Sequence, residues 1–200
     1  MLTITYIVDN SLYVNITNRC TNNCDFCIRN NGDGAYGSNS LWLEREPTVD
    51  EIYNDIMKYQ LDKYDELIFC GYGEPTMRVY DLVEVAKKVK AASNIHIRIN
   101  TNGHANLVHR TDVTPLFEGI IDTVSISLNN ANKEDYNSIC HPAYKNAYEK
   151  MIEFTALCSK HVENVVMSVV HGTIPDENLE KCRIIAENAG AKLRIREYIS

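Results

Sequence analysis

The sequence lacks the features that mark exported, membrane-spanning and nucleic-acid-binding proteins. Its 200 residues contain no run of about 18 apolar residues and no charged-then-apolar leader, so we expect neither a membrane span nor a signal peptide. Lysine and arginine total 20 against 27 acidic residues, which gives a net charge of −7. This acidic balance argues against direct nucleic-acid binding, which needs a basic face.

Linker composition and a disulfide pattern are also missing. The nine glycines and five prolines form no low-complexity stretch, so we expect residues 1–200 to form a single domain. Of the seven cysteines, three fall within the short segment 20–27. Without an export signal, such crowding indicates a metal site or reactive thiols rather than disulfide bonds. We therefore expect a reducing, cytoplasmic environment.

Strand and helix patterns alternate along the chain. A β-hairpin is predicted over 2–8 and 12–17, and Thr48 with Glu51 forms a capping-box pattern for a helix. The remaining pattern predicts strands at 66–71, 96–103, 121–129, 164–172 and 192–199, with helices at 79–93, near 114–118, at 143–161 and at 176–190. Such alternation gives an α/β fold with a mostly parallel sheet, either a partial barrel or an open doubly wound sheet.

The unusual residues fall where the predicted parallel strands end. Ligands of such sheets bind at the carboxyl ends of the strands. In chain order, the six strand ends carry Cys20 to Cys27, Gly71 to Pro75, Asn100 to Asn102, Ser125 to Asn129, His171, and Arg196. We expect all six groups to face one opening of the fold.

The segment "NRCTNNCDFC", residues 18–27, spaces three cysteines as C-x3-C-x2-C. Structural zinc requires four closed ligands, and His96, the nearest further candidate, starts a predicted strand on the wrong side of the sheet. Ordinary buried cysteines fit poorly in a loop of Asn, Thr and Asp. A [4Fe–4S] cluster held by three thiolates would keep one iron open for a small polar ligand. A non-catalytic iron–sulfur or zinc module that regulates a partner is the alternative.

The loop resembles the signature of the radical S-adenosylmethionine (radical SAM) superfamily, C-x3-C-x-aromatic-C, here Cys20, Cys24, Phe26 and Cys27. The resemblance implies a minimal radical SAM core with a partial (β/α)6 barrel and an N-terminal hairpin. It implies that S-adenosylmethionine fills the fourth cluster position through its amino and carboxylate groups. An electron from a flavodoxin- or ferredoxin-type reductant would cleave this cofactor, and the resulting 5′-deoxyadenosyl radical would abstract hydrogen from substrate.

A second segment, "GYGEPT", resembles the Gly-Gly-Glu-Pro segment of the superfamily, with Tyr72 in place of the central glycine. Glycines let a ligand approach the backbone, and a carboxylate can accept a charge-assisted hydrogen bond. The resemblance implies that this segment holds the methionine ammonium, through Gly71, Tyr72, Gly73, Glu74 and Pro75. A plain turn would contain similar residues.

Two strand ends supply further cofactor candidates. "SISLN" alternates Ser125, Ser127 and Asn129 onto one face of a strand, where the resemblance implies contacts to the ribose and carboxylate of the cofactor. "INTNG" resembles the strand-end segment of the superfamily that lies near the adenosine. The resemblance implies that Asn100 and Asn102 are neighbours of the cofactor, although Asn-Gly is also a common turn.

Three single residues are weaker candidates. Arg196, which shares one face of the last predicted strand with Arg194, can bind a carboxylate bidentately as Arg194 can, and it is the candidate for the cofactor carboxylate, although pairing with Glu197 or a helix is an alternative. His171 can orient the cofactor or act as an acid or base, although a histidine at a strand end is more often simply hydrogen-bonded. Cys140 is a candidate hydrogen donor to a substrate radical, with a structural role as the alternative.

The loop after the cysteines and the ending "RIREYI" resemble the small radical SAM proteins associated with TatD, a metal-dependent hydrolase. This resemblance suggests a TatD-type hydrolase as a partner but supplies no substrate. Within the superfamily, a glycyl-radical-enzyme activase and a 7-carboxy-7-deazaguanine synthase-like enzyme are the competing predictions.

Overall fold

In the part of the chain that the structure describes, seven strands form one sheet whose strand order follows the chain. The computed structural model describes residues 2–172 and 174–196. The strands are β1 (Thr5–Val8), β2 (Ser11–Val14), β3 (Glu66–Phe69), β4 (His96–Thr101), β5 (Thr123–Ser127), β6 (Asn164–Val170) and β7 (Lys192–Arg196). β1 and β2 pair antiparallel, and β2 to β7 are all parallel. The predicted α/β fold with an N-terminal hairpin is therefore confirmed.

Six helices connect these strands: α1 (Val49–Ile56), α2 (Val79–Ala92), α3 (Ala105–His109), α4 (Lys133–Cys140), α5 (Ala147–Cys158) and α6 (Asp176–Asn188). The capping box before α1 is present, because Thr48 Oγ1 accepts from the amide of Glu51 and the Glu51 carboxylate accepts from the amide of Thr48. The part of the predicted last strand beyond Arg196, including Glu197, lies outside the described residues.

Two helices were missed by the sequence prediction. Cys140 was expected in a loop, but it is the last residue of α4, whose N-cap Asn132 accepts a hydrogen bond from the amide of Asp135. Its sequence KEDYNSIC has little apolar periodicity, so only the Asn132 cap signalled a helix. α3 lies earlier than the expected short helix near 114–118, where Thr114–Phe117 forms one turn of 3-10 helix instead.

The two faces of the sheet differ in chemistry. Alternate residues pack into the main apolar core beneath the helices, as Leu67, Ile97 and Val124 do. The other face is mixed: it carries polar residues such as Arg98 and Asn100, and in the sheet register Ile68 and Val170 lie on the same face. Because side chains alternate along a strand, one face builds the fold while the other is free to bind a ligand.

The polar face is curled inward. Tyr6 on β1 and Arg196 on β7 stand at opposite edges of the sheet, yet both line the same cavity. This closeness requires a sheet that bends into a partial barrel. Within the described part of the chain, no helix is long and apolar enough to cross a membrane.

Candidate active site

The cysteine loop follows β2 and is fixed to α4 by backbone hydrogen bonds. The amide of Asn23 donates to the carbonyl oxygen of Cys140 at 3.0 Å, and the amide of Asp25 donates to that of Ile139 at 3.0 Å. Both acceptors lie in the last turn of α4, where carbonyl oxygens have no partner inside the helix. The loop therefore satisfies the end of α4 and takes its conformation from it.

Most of the predicted site residues line one cavity of about 490 Å³ at the carboxyl ends of the strands. A cavity of this size falls in the range that holds small ligands. The lining includes the three cysteines and the predicted residues Phe26, Gly71, Tyr72, Gly73, Glu74, Pro75, Asn100, Asn102, Ser127, Asn129 and Arg196. The structure thus brings together predicted residues from the ends of five strands, β2, β3, β4, β5 and β7.

Three predicted residues do not line this cavity. Ser125 is buried, with 4% of its surface exposed, and lies two residues before Ser127 on β5, further from the carboxyl end of the strand. His171 is exposed after the end of β6. The Cys140 thiol is fully buried and accepts a hydrogen bond from Asn129 Nδ2 at 3.3 Å. The roles predicted for these three residues stay predictions.

The Glu74 carboxylate is the buried charge of the site, with 4% of the residue exposed. Its Oε1 accepts from the Thr76 amide at 3.0 Å, the Thr76 hydroxyl at 2.6 Å and the Thr101 hydroxyl at 2.7 Å. Its Oε2 accepts from the Asn102 amide at 2.7 Å. Burial raises the pKa of Glu74, and these hydrogen bonds oppose the rise. A carboxylate oxygen has two lone pairs, so Oε2 keeps one acceptor position open beside the cavity.

The same turn also holds the cysteine loop. The backbone amide of Glu74 donates to the carbonyl oxygen of Arg19 at 2.8 Å. A Cβ at position 73 would overlap the carbonyl oxygen of Thr17 and lie 2.7 Å from that of Arg19. Only glycine lets the two backbones approach this closely. The motif glycine therefore serves packing between two loops, a role that is separate from ligand access.

A buried hydrogen-bond network lies behind the cysteine loop. Asn102 Nδ2 donates to the Thr21 hydroxyl at 2.8 Å, and Thr21 Oγ1 lies 2.8 Å from Nδ1 of His104. His104 Nε2 lies 3.2 Å from the hydroxyl of Tyr136, which also accepts from Asn22 Nδ2 at 3.2 Å. The network joins the end of β4 to the cysteine loop and to α4.

This network was missed in the sequence. His104 directly follows the Asn102-Gly103 pair, and Tyr136 lies on α4, which the sequence pattern did not predict. His104 has no exposed surface, and desolvation lowers its pKa to about 4. Its ring is therefore neutral at pH 7 and acts as a fixed hydrogen-bonding bridge.

The cysteine sulfurs lie in different electrostatic surroundings. Burial and the nearby Glu74 carboxylate raise the pKa of Cys20 to about 11. The neighbouring Cys140 sulfur, together with burial, raises the pKa of Cys24. Arg29 Nε donates to the Cys27 sulfur at 3.2 Å. Iron binds the thiolate, so loading a cluster must displace protons from the buried sulfurs.

Tyr72, which replaces the central motif glycine, anchors the loop over residues 31–42. Its hydroxyl donates to the carbonyl oxygen of Gly32 at 2.7 Å, and its ring packs edge-on against Trp42 with centroids 5.1 Å apart. Tyr72 also forms a small second core with Ala35 and Leu41. The substitution thereby holds the loop as one wall of the cavity.

The residues present fit a [4Fe–4S] cluster and S-adenosylmethionine. Three sulfurs line one cavity, and each can bind a different iron of a four-iron cluster. Zinc would need ligands that converge on one point, and within 2–172 and 174–196 no three His, Cys, Asp or Glu side chains do so. Asn100 and Asn129 line the cavity, and their amide oxygens are buried and lack a hydrogen-bond donor among the described residues. Such orphaned acceptors suit the hydroxyl and ammonium groups of a nucleoside-bearing amino acid.

The sequence pattern that defines the radical SAM superfamily matches residues 14–187. The chain therefore belongs to the radical SAM superfamily. Members of this superfamily use a [4Fe–4S] cluster together with S-adenosylmethionine, in agreement with the cofactors that the cysteine loop predicted.

Two archaeal relatives carry the name "Probable GTP 3',8-cyclase". The protein of Methanothermobacter marburgensis is 28% identical over 192 residues, and that of Methanocaldococcus jannaschii is 30% identical over 193 residues. Each match covers 94% of this chain but only 57% and 59% of the respective relatives. The chain thus spans less than two thirds of the curated relatives that it matches.

Solved radical SAM structures share the fold. SuiB of Streptococcus suis, bound to its precursor peptide, matches with a TM-score of 0.73 and 12% identity, covering 95% of this chain and 39% of SuiB. TYW1 with a lysine–pyruvate adduct matches with a TM-score of 0.67 and 16% identity, covering 96% of this chain and 65% of TYW1. At these identities the likeness shows the fold alone.

Gly73→Ala is expected to abolish stable cluster loading. The added Cβ would push the Glu74 turn away from Thr17 and Arg19 and so displace the cysteine loop. Iron and sulfide content after anaerobic reconstitution measures the effect. Gly119→Ala is the control, because its Cβ meets no atom within 4 Å although its φ of 70° brings backbone strain. Equal iron content in Gly73→Ala and wild type would contradict the packing role of Gly73.

Acid is expected to destabilise the fold through His104. Its pKa of about 4 in the folded state lies below the ordinary histidine value of 6.5, so its contribution to stability is complete above pH 6.5 and is lost as the pH falls towards 4. The expected slope is up to about 1.4 kcal/mol per pH unit. Urea unfolding of the cluster-free protein between pH 7 and pH 5 measures it.

His104→Asn should lower the stability at pH 7 and flatten this slope. Asn22→Ala removes the other hydrogen bond to Tyr136 but no titratable group, so it should lower the stability and keep the slope. An unchanged slope in His104→Asn would show that other groups cause the acid sensitivity.

Proposed function

We propose that this chain is a radical SAM enzyme in which Cys20, Cys24 and Cys27 bind three irons of a [4Fe–4S] cluster. The observation that carries the proposal is the convergence of these sulfurs and a buried, part-open Glu74 carboxylate on one cavity. When bound, the cluster and cofactor supply a 5′-deoxyadenosyl radical that abstracts hydrogen from a substrate. The cavity residues orient the cofactor for this chemistry.

Each wall of the cavity has a separate task. The open acceptor position on Glu74 Oε2 receives an N–H of the cofactor amino group, because the other oxygen is already saturated by the two threonines. Asn100 and Asn129 offer unpaired amide oxygens to the ribose hydroxyls. Phe26 packs against the main core and lines the cavity beside the cysteines, which limits water access to the cluster.

The buried network fixes these groups before the cofactor arrives. Asn102 connects the Glu74 carboxylate to the cysteine loop, since its amide binds Glu74 and its side chain binds Thr21. Preorganised polar groups need not reorient when charge develops, and this is the main way in which enzyme sites stabilise reacting states. The neutral ring of His104 keeps this arrangement without adding a charge next to the cluster.

The substrate and partners belong to this proposal as well. The name of the archaeal relatives makes a GTP-derived substrate one candidate, and the glycyl-radical activase and deazaguanine synthase-like reactions are others. A one-electron reductant must reach the cluster, as radical SAM chemistry requires. The TatD-type hydrolase stays a predicted partner, and a regulatory iron–sulfur module without catalysis stays the alternative from another class.

Anaerobic reconstitution followed by dithionite and S-adenosylmethionine tests the proposal. Wild type should bind about four irons per chain and release 5′-deoxyadenosine and methionine, both measured by liquid chromatography. Cys24→Ala should lose the cluster and the product. Cys182→Ala, at a cysteine buried on α6, is the matched control and should keep both. A complete cluster without 5′-deoxyadenosine would favour the regulatory module instead.

A further inference from the structure

The inner face of β7 presents two arginines to the cavity. Arg194 and Arg196 both line it, and in the sheet register they stand beside Ser168 and Val170 of β6. Ser127 of β5, which is paired with Ser168, lines the same wall. Since alternate residues share a face, both guanidinium groups belong to the concave polar side of the barrel.

The positive charge of this wall exceeds the nearby negative charge. Arg98 on β4 is balanced by Glu66, whose carboxylate lies 2.7 Å away. No carboxylate of the described residues forms an ion pair with Arg194 or Arg196, and Arg196 Nε is buried without a hydrogen-bond partner. Burial and the positive charges of Arg98 and Arg196 lower the pKa of Arg194. An anion bound between these groups would relieve their repulsion.

The acidic residues of the cavity do not cancel this charge. Glu74 is already held by four hydrogen bonds at the cysteine side, and Asp9 is exposed at the rim. Two tyrosines, Tyr13 and Tyr36, face the arginine wall from the other edge of the barrel. Arginine forks and phenolic hydroxyls both donate to oxyanions.

From this wall we infer that Arg194 and Arg196 bind an oxyanion of the substrate, a phosphoryl or carboxylate group, on the side of the cavity away from the cysteines. The inference rests on the proposed function, because it requires the cofactor to occupy the cysteine side. It assigns both arginines to the substrate. This differs from the sequence-based prediction, in which Arg196 bound the carboxylate of the cofactor. The substrate is then an anionic small molecule or an anionic group on a larger one.

Isothermal titration calorimetry of the cluster-loaded protein, saturated with S-adenosylmethionine, tests the inference. Inorganic pyrophosphate and succinate are the two probes, and the tighter one indicates whether the substrate group is phosphoryl or carboxylate. Binding should weaken as potassium chloride is raised. Arg194→Gln and Arg196→Gln should each weaken the preferred probe about tenfold or more, since each removes a charge-assisted pair.

Two control variants distinguish specific anion binding at Arg194 and Arg196 from a general effect of the protein's net charge. Arg183→Gln removes the same charge from α6, where Arg183 pairs with Glu180 at 3.3 Å, and it should leave the affinity unchanged. Arg194→Lys keeps the positive charge but lacks the paired N–H donors of a guanidinium group. Its affinity for the probe should therefore lie between those of wild type and Arg194→Gln. Circular dichroism and iron content confirm that each variant is folded and loaded.

Three results would overturn the inference: equal weakening by Arg183→Gln, no binding of either probe to wild type with or without S-adenosylmethionine, or binding only in a parallel titration that omits S-adenosylmethionine. The last result would assign the arginines to the cofactor carboxylate. The heat of anion binding does not depend on cofactor cleavage. A protein that releases 5′-deoxyadenosine but binds no anion therefore refutes only this inference. A protein that binds the anion but forms no 5′-deoxyadenosine refutes only the proposed function.

Discussion

The buried carboxylate of Glu74 is the constraint on which the site depends. A charge that is removed from water must be satisfied by hydrogen bonds, and this one receives them from its own turn and from the end of β4. The backbone of the same residue holds the cysteine loop through Arg19. One carboxyl group and its backbone thus fix the relative positions of three loops, and Oε2 accepts only one hydrogen bond from the described residues.

The division of the sheet into an apolar and a polar face makes this arrangement possible. Residues such as Ile97 and Val124 supply the hydrophobic free energy on the helix-covered side, so the polar side need not contribute to the core. The orphaned oxygens of Asn100 and Asn129 and the arginines of β7 are costly for folding alone. The free-energy cost of burying these polar groups is offset when a bound ligand supplies their missing hydrogen-bond partners.

The sequence predicted the fold and the strand ends well, because both follow from short-range patterns. Short apolar or alternating runs between helical patterns marked the strands, and the rule for parallel sheets brought Cys20 and Glu74 to one opening. It missed α4, whose polar sequence hides its periodicity, and with it the contact of Cys140 with the cysteine loop. It also missed the bridge through His104, because a buried histidine is recognised only when its distant partners, Thr21 and Tyr136, are known. Tyr72 was noted as a departure from the motif, but its hydrogen bond to Gly32 depends on how the loop folds back.

The central claim is that the three cysteines leave one iron open and that the cavity directs the amino group of the cofactor to it. Electron–nuclear double resonance of the reduced, cluster-loaded protein, with S-adenosylmethionine labelled by ¹⁵N in the amino group, tests this claim most directly. The account predicts a strong nitrogen coupling in wild type and a weakened coupling in Glu74→Gln. A cluster signal without nitrogen coupling in wild type would contradict the claim.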